Sequence, residues 1–134
     1  MPMSDQDAIE AMLKMKTWAI VGLGDNPERA AYEVSALLIE KGHTVVPVHP
    51  LARQVHGQQA FSSLAEIPFA IDVVDVFVNS SLAGAIAEES IAIGAKGVWF
   101  QLGVIDQDAY ERVTSAGLLM VMDHCPAIEY GKRG

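Results

Sequence analysis

The chain alternates between short, nearly continuous apolar stretches and longer segments in which apolar residues recur every three or four positions. This alternation predicts strands followed by helices, because a buried strand is apolar on both faces and a surface helix on only one. The apolar stretches predict strands at residues 17–21, 44–48, 72–78, 97–101 and 118–122. The helices between them are predicted to be capped by Asn26, Ser81 and Asp106 and to stop at Gly42, Gly94 and Gly117.

Alternating strands and helices indicate an α/β fold with a parallel sheet. We expect a Rossmann-like, doubly wound sheet of about five parallel strands with helices on both faces. Pro47 cannot donate to a strand ladder, so it is predicted to lie near an edge or an end of the ladder. In such folds a ligand lies beyond the carboxyl ends of the strands, where the strand order reverses. The first strand end, at Gly22, is expected at that point.

Residues 1–16 precede the first strand and predict a short amphipathic lead-in helix. Ser4 suits its N-cap, and Ile9, Met12 and Leu13 fall on one helical face. With 134 residues, of which 51% are hydrophobic, the chain is expected to form a single domain, residues 1–134. A short helical turn is predicted at residues 62–66, whereas the residues just before it and the tail from 123 to 130 have no clear period.

Charge and cysteine content narrow the possible partners. The formal net charge is -8, whereas nonspecific binding to nucleic acid or to anionic lipid depends on a surplus of Lys and Arg. No apolar stretch approaches the length of a membrane-spanning helix, and the acidic N-terminus lacks a signal-peptide core. The single cysteine, Cys125, excludes an internal disulfide and fits a reducing compartment, so a cytoplasmic location is expected.

The segment from 17 to 29 carries the main functional signal. Gly22 permits a sharp turn out of the first strand, and Gly24 lets the backbone approach a ligand without an intervening Cβ. Asn26 as N-cap and Pro27 as first helical residue would direct a helix N-terminus toward the same place. A strand, a glycine turn and a helix together hold phosphate in many proteins. The alternative is a tight turn with no ligand.

A nicotinamide dinucleotide fits this segment poorly. Pro27 replaces the third glycine of the dinucleotide fingerprint. The second strand ends in Val48, His49 and Pro50, where a dehydrogenase of this fold carries Asp or Glu for the ribose hydroxyls. Asp25 lies inside the turn and does not supply that carboxylate.

Two arginines are candidate phosphate ligands, whereas the histidines, the cysteine, the serines and the aspartates have structural interpretations. Arg29, one turn into the helix that follows the glycine turn, could fold back onto a phosphate. A solvated role is its alternative, although a cation near a helix N-terminus is unfavourable without an anion. Arg53 follows the second strand near the expected ligand edge and is equally well explained as a surface arginine. No metal site is predicted, because the four histidines share no ligand spacing. No catalytic residue is predicted either: Cys125 beside His124 is interpreted as a core thiol, Ser80 and Ser81 as a helix cap, and Asp72 and Asp75 as strand-end contacts.

Five ordered segments resemble the stand-alone CoA-binding domain family, which is similar to the CoA-binding part of the succinyl-CoA synthetase α subunit. The resemblance covers nearly the whole chain, from Thr17 to Tyr130. The segments that carry it are residues 19–29 (AIVGLGDNPER), 46–50 (VPVHP), 73–77 (VVDVF), 98–103 (VWFQLG) and 123–130 (DHCPAIEY). Several motifs in order are far more specific than two glycines alone.

The resemblance implies a Rossmann-like domain that binds coenzyme A or an acyl-CoA. It implies that phosphate groups lie over the glycine turn, with the ends of the next three strands completing the cleft. The residues that it assigns to ligand binding are Gly22, Leu23, Gly24, Asp25, Asn26, Arg29, Val48, His49, Pro50, Arg53, Phe77, Val78, Asn79, Ser80, Gln101, Leu102 and Gly103.

This chain departs from the family pattern at two places. The family often has arginine after the position of Phe77, where this chain has Val78, Asn79 and Ser80. It often has Asn-Pro-Lys after the second strand, where this chain has His49-Pro50-Leu51, with Arg53 slightly later. Both departures remove positive charge from the expected site.

Three functions follow from these observations. The first is a binding module for CoA or acyl-CoA with no chemistry of its own. The second is an oxidoreductase that uses a nicotinamide cofactor. The third is an interaction or regulatory subunit with a weakened ligand site, and a protein partner or a homo-oligomer is compatible with any of them.

Overall fold

The apolar stretches form a five-stranded parallel sheet whose two faces are covered by helices, as the sequence predicts. The computed structural model describes residues 3–51 and 53–133. The strands are β1 (Thr17–Val21), β2 (Thr44–Val48), β3 (Gln54–Val55), β4 (Gln58–Gln59), β5 (Val73–Val76), β6 (Gly97–Phe100) and β7 (Leu119–Val121). The helices are α1 (Asp5–Leu13), α2 (Ala30–Glu40), α3 (Ser80–Ala92), α4 (Gln107–Ser115) and α5 (Pro126–Lys132), with one 3₁₀ turn at Leu64–Glu66.

The strand order in the main sheet is β2-β1-β5-β6-β7. The order reverses between β1 and β5, because the chain leaves β1 toward β2 on one side and later returns to pair β5 on the other. Helices α1, α2 and α5 pack on one face, and α3 and α4 pack on the opposite face. The carboxyl ends of β1 and β5 therefore border a crevice at the switch point, where ligands bind in this class of fold.

Strand β2 forms one edge of the sheet, which is one of the two positions that Pro47 predicts. Its outer side is partly covered by Phe61. The Phe61 amide donates to the Pro47 carbonyl at 3.0 Å, and the His49 amide donates to the Phe61 carbonyl at 2.9 Å. Phe61 therefore continues the ladder for one residue beyond the edge strand.

The lead-in helix and the helix after β6 begin where the sequence predicts. The Ser4 hydroxyl accepts a hydrogen bond from the Asp7 amide at 3.1 Å, and Ile9 and Met12 are fully buried. The Asp106 carboxylate accepts from the Ala109 amide, also at 3.1 Å. Both caps satisfy amides that have no partner within the helix.

The predicted start of α2 is wrong by about one turn. The Asn26 side chain accepts from the Glu28 amide at 3.0 Å, and the Arg29 amide donates to the Asn26 carbonyl at 3.1 Å. These bonds close a separate turn, in which Pro27 lies outside the helix. Arg29 has an extended backbone and occupies the N-cap position, so the helix begins at Ala30. Arg29 therefore precedes the helix instead of lying one turn inside it.

Helix α3 begins one residue before Ser81, which was expected to cap it. Asn79 occupies the N-cap position and makes no side-chain capping bond. The Ser80 hydroxyl instead donates to the Gly103 carbonyl at 3.3 Å and accepts from the Ile105 amide at 2.9 Å. Ser80 thus connects α3 to the loop after β6.

Two elements were not predicted. The β3–β4 hairpin pairs only two residues on each side and turns at His56 and Gly57, both with positive φ. Helix α5 occupies part of the tail that has no clear period, and Pro126 stands in its first turn. Both are too short to produce a hydrophobic periodicity that can be read from sequence.

Asp72 and Asp75 differ in position and in hydrogen bonding, although both were predicted to make strand-end contacts. Asp72 makes the expected strand-end contact: its carboxylate accepts from the Thr17 amide at 3.0 Å and pairs with Lys96 at 3.3 Å. Burial would raise the pKa of Asp72, but these two partners lower it below its ordinary value. Asp75 is not a strand-end contact. It lies inside the central strand β5, fully buried, and neither of its oxygens has a hydrogen-bond partner among the described residues.

Candidate functional site

A cleft of about 1020 Å³ opens at the carboxyl edge of the sheet, beside the switch point between β1 and β5. It receives residues from the glycine turn after β1, the start of α2, the segment after β2 and the segment after β5. The residues that line it are Gly22, Gly24, Asp25, Asn26, Arg29, Ala30, Ala31, His49, Pro50, Leu51, Arg53, Gln54, Phe77 and Val78.

Gly22 is required by the close approach of two strand ends. Its φ is 97°, and a Cβ at this position would lie 2.9 Å from the Phe77 carbonyl oxygen. The Gly22 amide donates to the Val48 carbonyl at 2.9 Å, and the Phe77 amide donates to the Val21 carbonyl at 2.9 Å. These bonds hold the turn from β1 against both neighbouring strands. A side chain at Gly22 would separate them.

Gly24 leaves room for a histidine ring. A Cβ on Gly24 would lie 3.2 Å from both Cδ2 and Nε2 of His49. The imidazole therefore packs against the backbone of the glycine turn, and both residues line the cleft. This pairing could not be read from the sequence, because the two residues come from different strand ends.

The start of α2 contributes positive potential to the cleft. Ala30 and Ala31 begin the helix and line the cleft, so the unpaired amides of the first turn are close to any ligand there. Arg29 lies beside them, immediately before the helix. Asp25 lines the same wall and opposes these charges. The residues that come nearest to a bound anion would thus be Arg29 and the backbone of the first helical turn.

The segment after β2 forms the facing wall. The Leu51 amide donates to Nδ1 of His49 at 3.1 Å, which fixes the ring orientation. Arg53 and Gln54 follow, and Gln54 begins the β3–β4 hairpin. The hairpin is held against the body because His56 Nε2 shares hydrogen bonds with the Ser35 hydroxyl and the Tyr32 carbonyl on α2.

The segment after β5 continues from the cleft to two further loops. Phe77 and Val78 line the cleft, and Ser80 is hydrogen-bonded to the loop after β6 through Gly103 and Ile105. The Gly103 amide donates in turn to the Asp123 carboxylate at 2.8 Å. The loops that follow β5, β6 and β7 are therefore connected by hydrogen bonds.

The predicted ligand-binding residues separate into two groups. Most residues predicted from the glycine turn, the end of β2 and the end of β5 line the cleft together. Leu23 and Val48 have side chains buried in the core instead, and Gln101 is 7% exposed with an Oε1 that lacks a partner among the described residues. The predicted residues that do not line the cleft are Leu23, Val48, Asn79, Ser80, Gln101, Leu102 and Gly103.

Four residues of the cleft were not predicted: Ala30, Ala31, Leu51 and Gln54. Two consecutive alanines after Arg29 carry a recognisable signal, because small side chains at a helix start leave its amides accessible. Leu51 and Gln54 carry none, since their place depends on the path of the loop and hairpin.

The remaining reactive groups lie elsewhere. Cys125 is 7% exposed and occupies the N-cap position of α5, in agreement with a core thiol. The His124 carbonyl accepts from Nε1 of Trp99 at 2.9 Å, and its ring lies 3.5 Å from the Asp5 and Glu129 carboxylates. Across residues 3–51 and 53–133, no three His, Cys, Asp or Glu side chains are grouped as metal ligands. No helix in these ranges has the length and apolarity needed to cross a membrane.

Comparison with known proteins identifies the family. The family model described as a CoA binding domain matches residues 16–131. An uncharacterized protein of Bacillus subtilis, YneT, is 35% identical over 116 residues, which is 87% of this chain and 86% of that protein. The α subunit of an ADP-forming acetate–CoA ligase of Pyrococcus furiosus is 32% identical over 81 residues, 60% of this chain but only 17% of the subunit.

A solved structure agrees with the fold over nearly the whole length. A hypothetical protein from Pyrococcus horikoshii superposes with a TM-score of 0.90 at 36% sequence identity. The match covers 97% of this chain and 92% of that chain. The two proteins therefore share the fold over nearly their whole length.

Proposed function

Because the chain belongs to the CoA-binding domain family, we propose that it binds coenzyme A or an acyl-CoA in the cleft beside the glycine turn. The phosphates would lie over Gly24 and the first turn of α2. The observation that carries this proposal is the convergence of Gly22, Gly24, Arg29 and Arg53 on one cleft at the switch point.

Micromolar binding of CoA would require several contacts, because no single contact in the cleft supplies enough binding free energy. An anion at a helix N-terminus is stabilised by about 0.3–1 kcal/mol, and a hydrogen bond to a charged group contributes about 1.5–3 kcal/mol. Micromolar affinity corresponds to about 8 kcal/mol. Arg29, Arg53 and the amides of the first α2 turn would together supply the phosphate part, and the apolar wall at Phe77 and Val78 supports contact with an uncharged part.

The cleft has room for a ligand of this size. Its volume of about 1020 Å³ is at the upper end of the range of about 300–1,000 Å³ that is usual for small-molecule sites. An elongated ligand with phosphates at one end and a long uncharged arm suits a cleft with a polar turn and an apolar wall.

The end of β2 disfavours a nicotinamide dinucleotide. His49 follows Val48 there and faces Gly24, in the region where an acidic residue would bind the ribose hydroxyls. Binding of coenzyme A does not require an acidic residue at this position.

A binding role without chemistry of its own is part of the proposal. The one thiol, Cys125, is buried and is not a cleft residue, which supports this role. We further propose that the protein acts in the reducing cytoplasm. The ligand is a small molecule, and any protein partner would act in addition to it.

Isothermal titration of the purified protein with CoA tests the proposal. We expect saturable binding, and we expect Gly24→Val to abolish it because the added side chain occupies the cleft and displaces the His49 ring. Gly131→Val is the matched control, since a Cβ at Gly131 meets no atom within 4 Å and the residue lies in α5.

Two results would contradict the proposal. One is the absence of both binding heat and a thermal shift at millimolar CoA. The other is saturable binding of NAD(H) without binding of CoA, which would favour the oxidoreductase alternative. Co-purification of a protein partner by a chain that binds no CoA would favour the regulatory subunit.

A further inference from the structure

We propose that the chain has a second ligand site, at the amino edge of the sheet, which binds a small linear polyanion such as an oligophosphate. The site consists of two adjoining cavities of about 410 and 250 Å³ that share Leu13, Lys14 and Lys41. We name it the basic groove after its four cations, Lys14, Lys16, Lys41 and Arg133. Binding there does not depend on CoA in the cleft, which lies at the opposite edge of the sheet.

The basic groove lies where three helices end. Lys14, Lys41 and Arg133 are the C-cap residues of α1, α2 and α5. Strand β1 begins shortly after α1, and β2 begins shortly after α2. The Thr44 amide donates to the Lys16 carbonyl at 2.8 Å, which joins the starts of the two strands. The groove is therefore built on helix ends and paired strand starts.

Charge is distributed unevenly between the basic groove and the rest of the chain. Four of the nine Lys and Arg residues line the groove. Among the described residues, only one of the seventeen Asp and Glu residues lines it, Glu10. The groove is thus positive on a chain whose formal net charge is -8. A small anion is repelled by most of the surface and attracted to this part of it.

The helix ends account for only part of this positive charge. A helix C-terminus carries about half a negative charge, so a cation at each C-cap is stabilising whether or not a ligand binds. The four cations still exceed the three helix ends and Glu10 together. Within residues 3–51 and 53–133, none of Lys14, Lys16 and Lys41 forms an ion pair with a carboxylate. The surplus charge is therefore available to a ligand.

The cations are spread along the basic groove. Lys14 and Lys41 border both cavities, whereas Arg133 borders only the larger cavity and Lys16 only the smaller. Nη2 of Arg133 donates to the Gln6 side chain at 2.9 Å, which fixes that end of the groove. A row of cations suits a chain of linked phosphates better than one compact anion, because each phosphate can approach a different cation.

The aromatic ring in the basic groove is covered by a lysine. Nζ of Lys41 lies 5.4 Å from the centroid of the Tyr130 ring, and Tyr130 lines the larger cavity. An ammonium group over an aromatic face is held there by the ring quadrupole. This face is therefore occupied by a cation and offers no stacking surface to a base. The groove recognises charge and not a nucleobase.

Titration of isotope-labelled protein with sodium tripolyphosphate, followed by amide NMR shifts, tests the proposal because it reports where the probe binds. We expect saturable shifts at Lys14, Lys41 and Gly42, with an affinity that falls as salt is added. Shifts at Gly24 and Ala30 report separately on any binding of the probe in the cleft.

Lys14→Gln combined with Lys41→Gln should weaken binding in the basic groove about tenfold, because each exposed charge pair contributes about two- to fivefold. The matched control is Lys96→Gln combined with Arg112→Gln. It removes the same charge from residues outside the groove and should bind tripolyphosphate as wild type does. Thermal melts establish that both double variants are folded, and CoA should bind equally to both.

Equal affinities of the two double variants for tripolyphosphate, or shifts confined to the cleft, overturn the second site and leave the proposed function intact. Tighter binding of a hexaglutamate peptide than of tripolyphosphate in the basic groove also overturns it, in favour of an acidic protein segment as the occupant. Failure of wild type to bind CoA, with tripolyphosphate still bound in the groove, overturns the proposed function alone.

Discussion

At the residue scale, Asp75 is the position where burial and charge conflict most. Both carboxylate oxygens are buried in the central strand without a partner among the described residues. Burial raises the pKa of Asp75 well above its ordinary value, because the charged form loses its hydration. The folded state therefore holds this proton more tightly than the unfolded state. The stability that the neutral acid allows is lost as pH rises through the raised pKa.

We expect Asp75→Asn to raise the free energy of unfolding at pH 8 relative to wild type, with the difference shrinking toward pH 5. Asp72→Asn is the matched comparison and should behave in the opposite way. The pKa of Asp72 is lowered, so its contribution is present at neutral pH and disappears as pH falls. Urea denaturation of the three proteins from about pH 2.5 to pH 8 measures both trends, because the Asp72 contribution is lost only below about pH 4. Parallel curves for Asp75→Asn and wild type would contradict the assignment.

At the element scale, α4 depends on its first residues. The Asp106 carboxylate satisfies the Ala109 amide, and α4 packs on the sheet through Ala109 and Val113, both fully buried. We expect Asp106→Ala to lower the free energy of unfolding by about 0.5–2 kcal/mol, the usual effect of removing an N-cap. Asp106→Asn retains a capping oxygen and should lose far less. Equal losses for the two variants in chemical denaturation would indicate that the cap is not what the carboxylate provides.

Elements governed by local chemistry could be predicted from the sequence, and those governed by distant contacts could not. Ser4 and Asp106 cap their helices within three residues, so their signals are complete in the sequence. The start of α2 was misplaced because Asn26 bonds the Glu28 amide two residues on and closes a separate turn. The β3–β4 hairpin depends on His56 reaching α2, a contact between residues far apart in sequence.

In the candidate site, too, the features with local sequence signals could be predicted, and those that depend on distant contacts could not. Its glycine turn and arginines have local signals, and they line one cleft. The opposition of His49 and Gly24 depends on the register of β1 and β2, which no local pattern encodes. The loop after β6, which contains Gln101 and Gly103, does not line the cleft. Ser80 and Asp123 both bond this loop at Gly103, and these contacts join residues far apart in sequence.

At the scale of the whole molecule, the two ends of the chain are joined through one buried polar network. Nδ1 of His43 bonds the Met15 carbonyl at 2.7 Å, and Nε2 bonds the Tyr130 hydroxyl. The Leu13 carbonyl lies 3.2 Å from the same hydroxyl, whose single proton is shared between this carbonyl and Nε2. Burial lowers the pKa of His43 and raises the pKa of Tyr130, so both groups are neutral near pH 7. This network holds α5 against the end of α1 and the start of β2.

We expect Tyr130→Phe to lower the free energy of unfolding by about 1–2 kcal/mol, because it leaves His43 and the Leu13 carbonyl without a buried partner. Tyr110→Phe is the control, since the Tyr110 hydroxyl makes no hydrogen bond with the described part of the chain. Guanidinium denaturation followed by tryptophan fluorescence measures the effect, because Trp18 lies 5.3 Å from the His43 ring, centroid to centroid. Identical midpoints for the two variants would contradict a stabilising role.

The short extension of the sheet at Phe61 has a consequence for self-association. An open edge strand exposes backbone groups that can template pairing with another chain and so begin aggregation. On β2, Pro47 has no amide to offer, and the nearby Pro47 carbonyl and His49 amide are already bonded to Phe61. The chain after β2, which first lines the cleft and then pairs with the edge through Phe61, therefore also protects this edge from strand-to-strand aggregation. A substitution that loosens this stretch would lower the solubility of the protein as well as its affinity for the ligand.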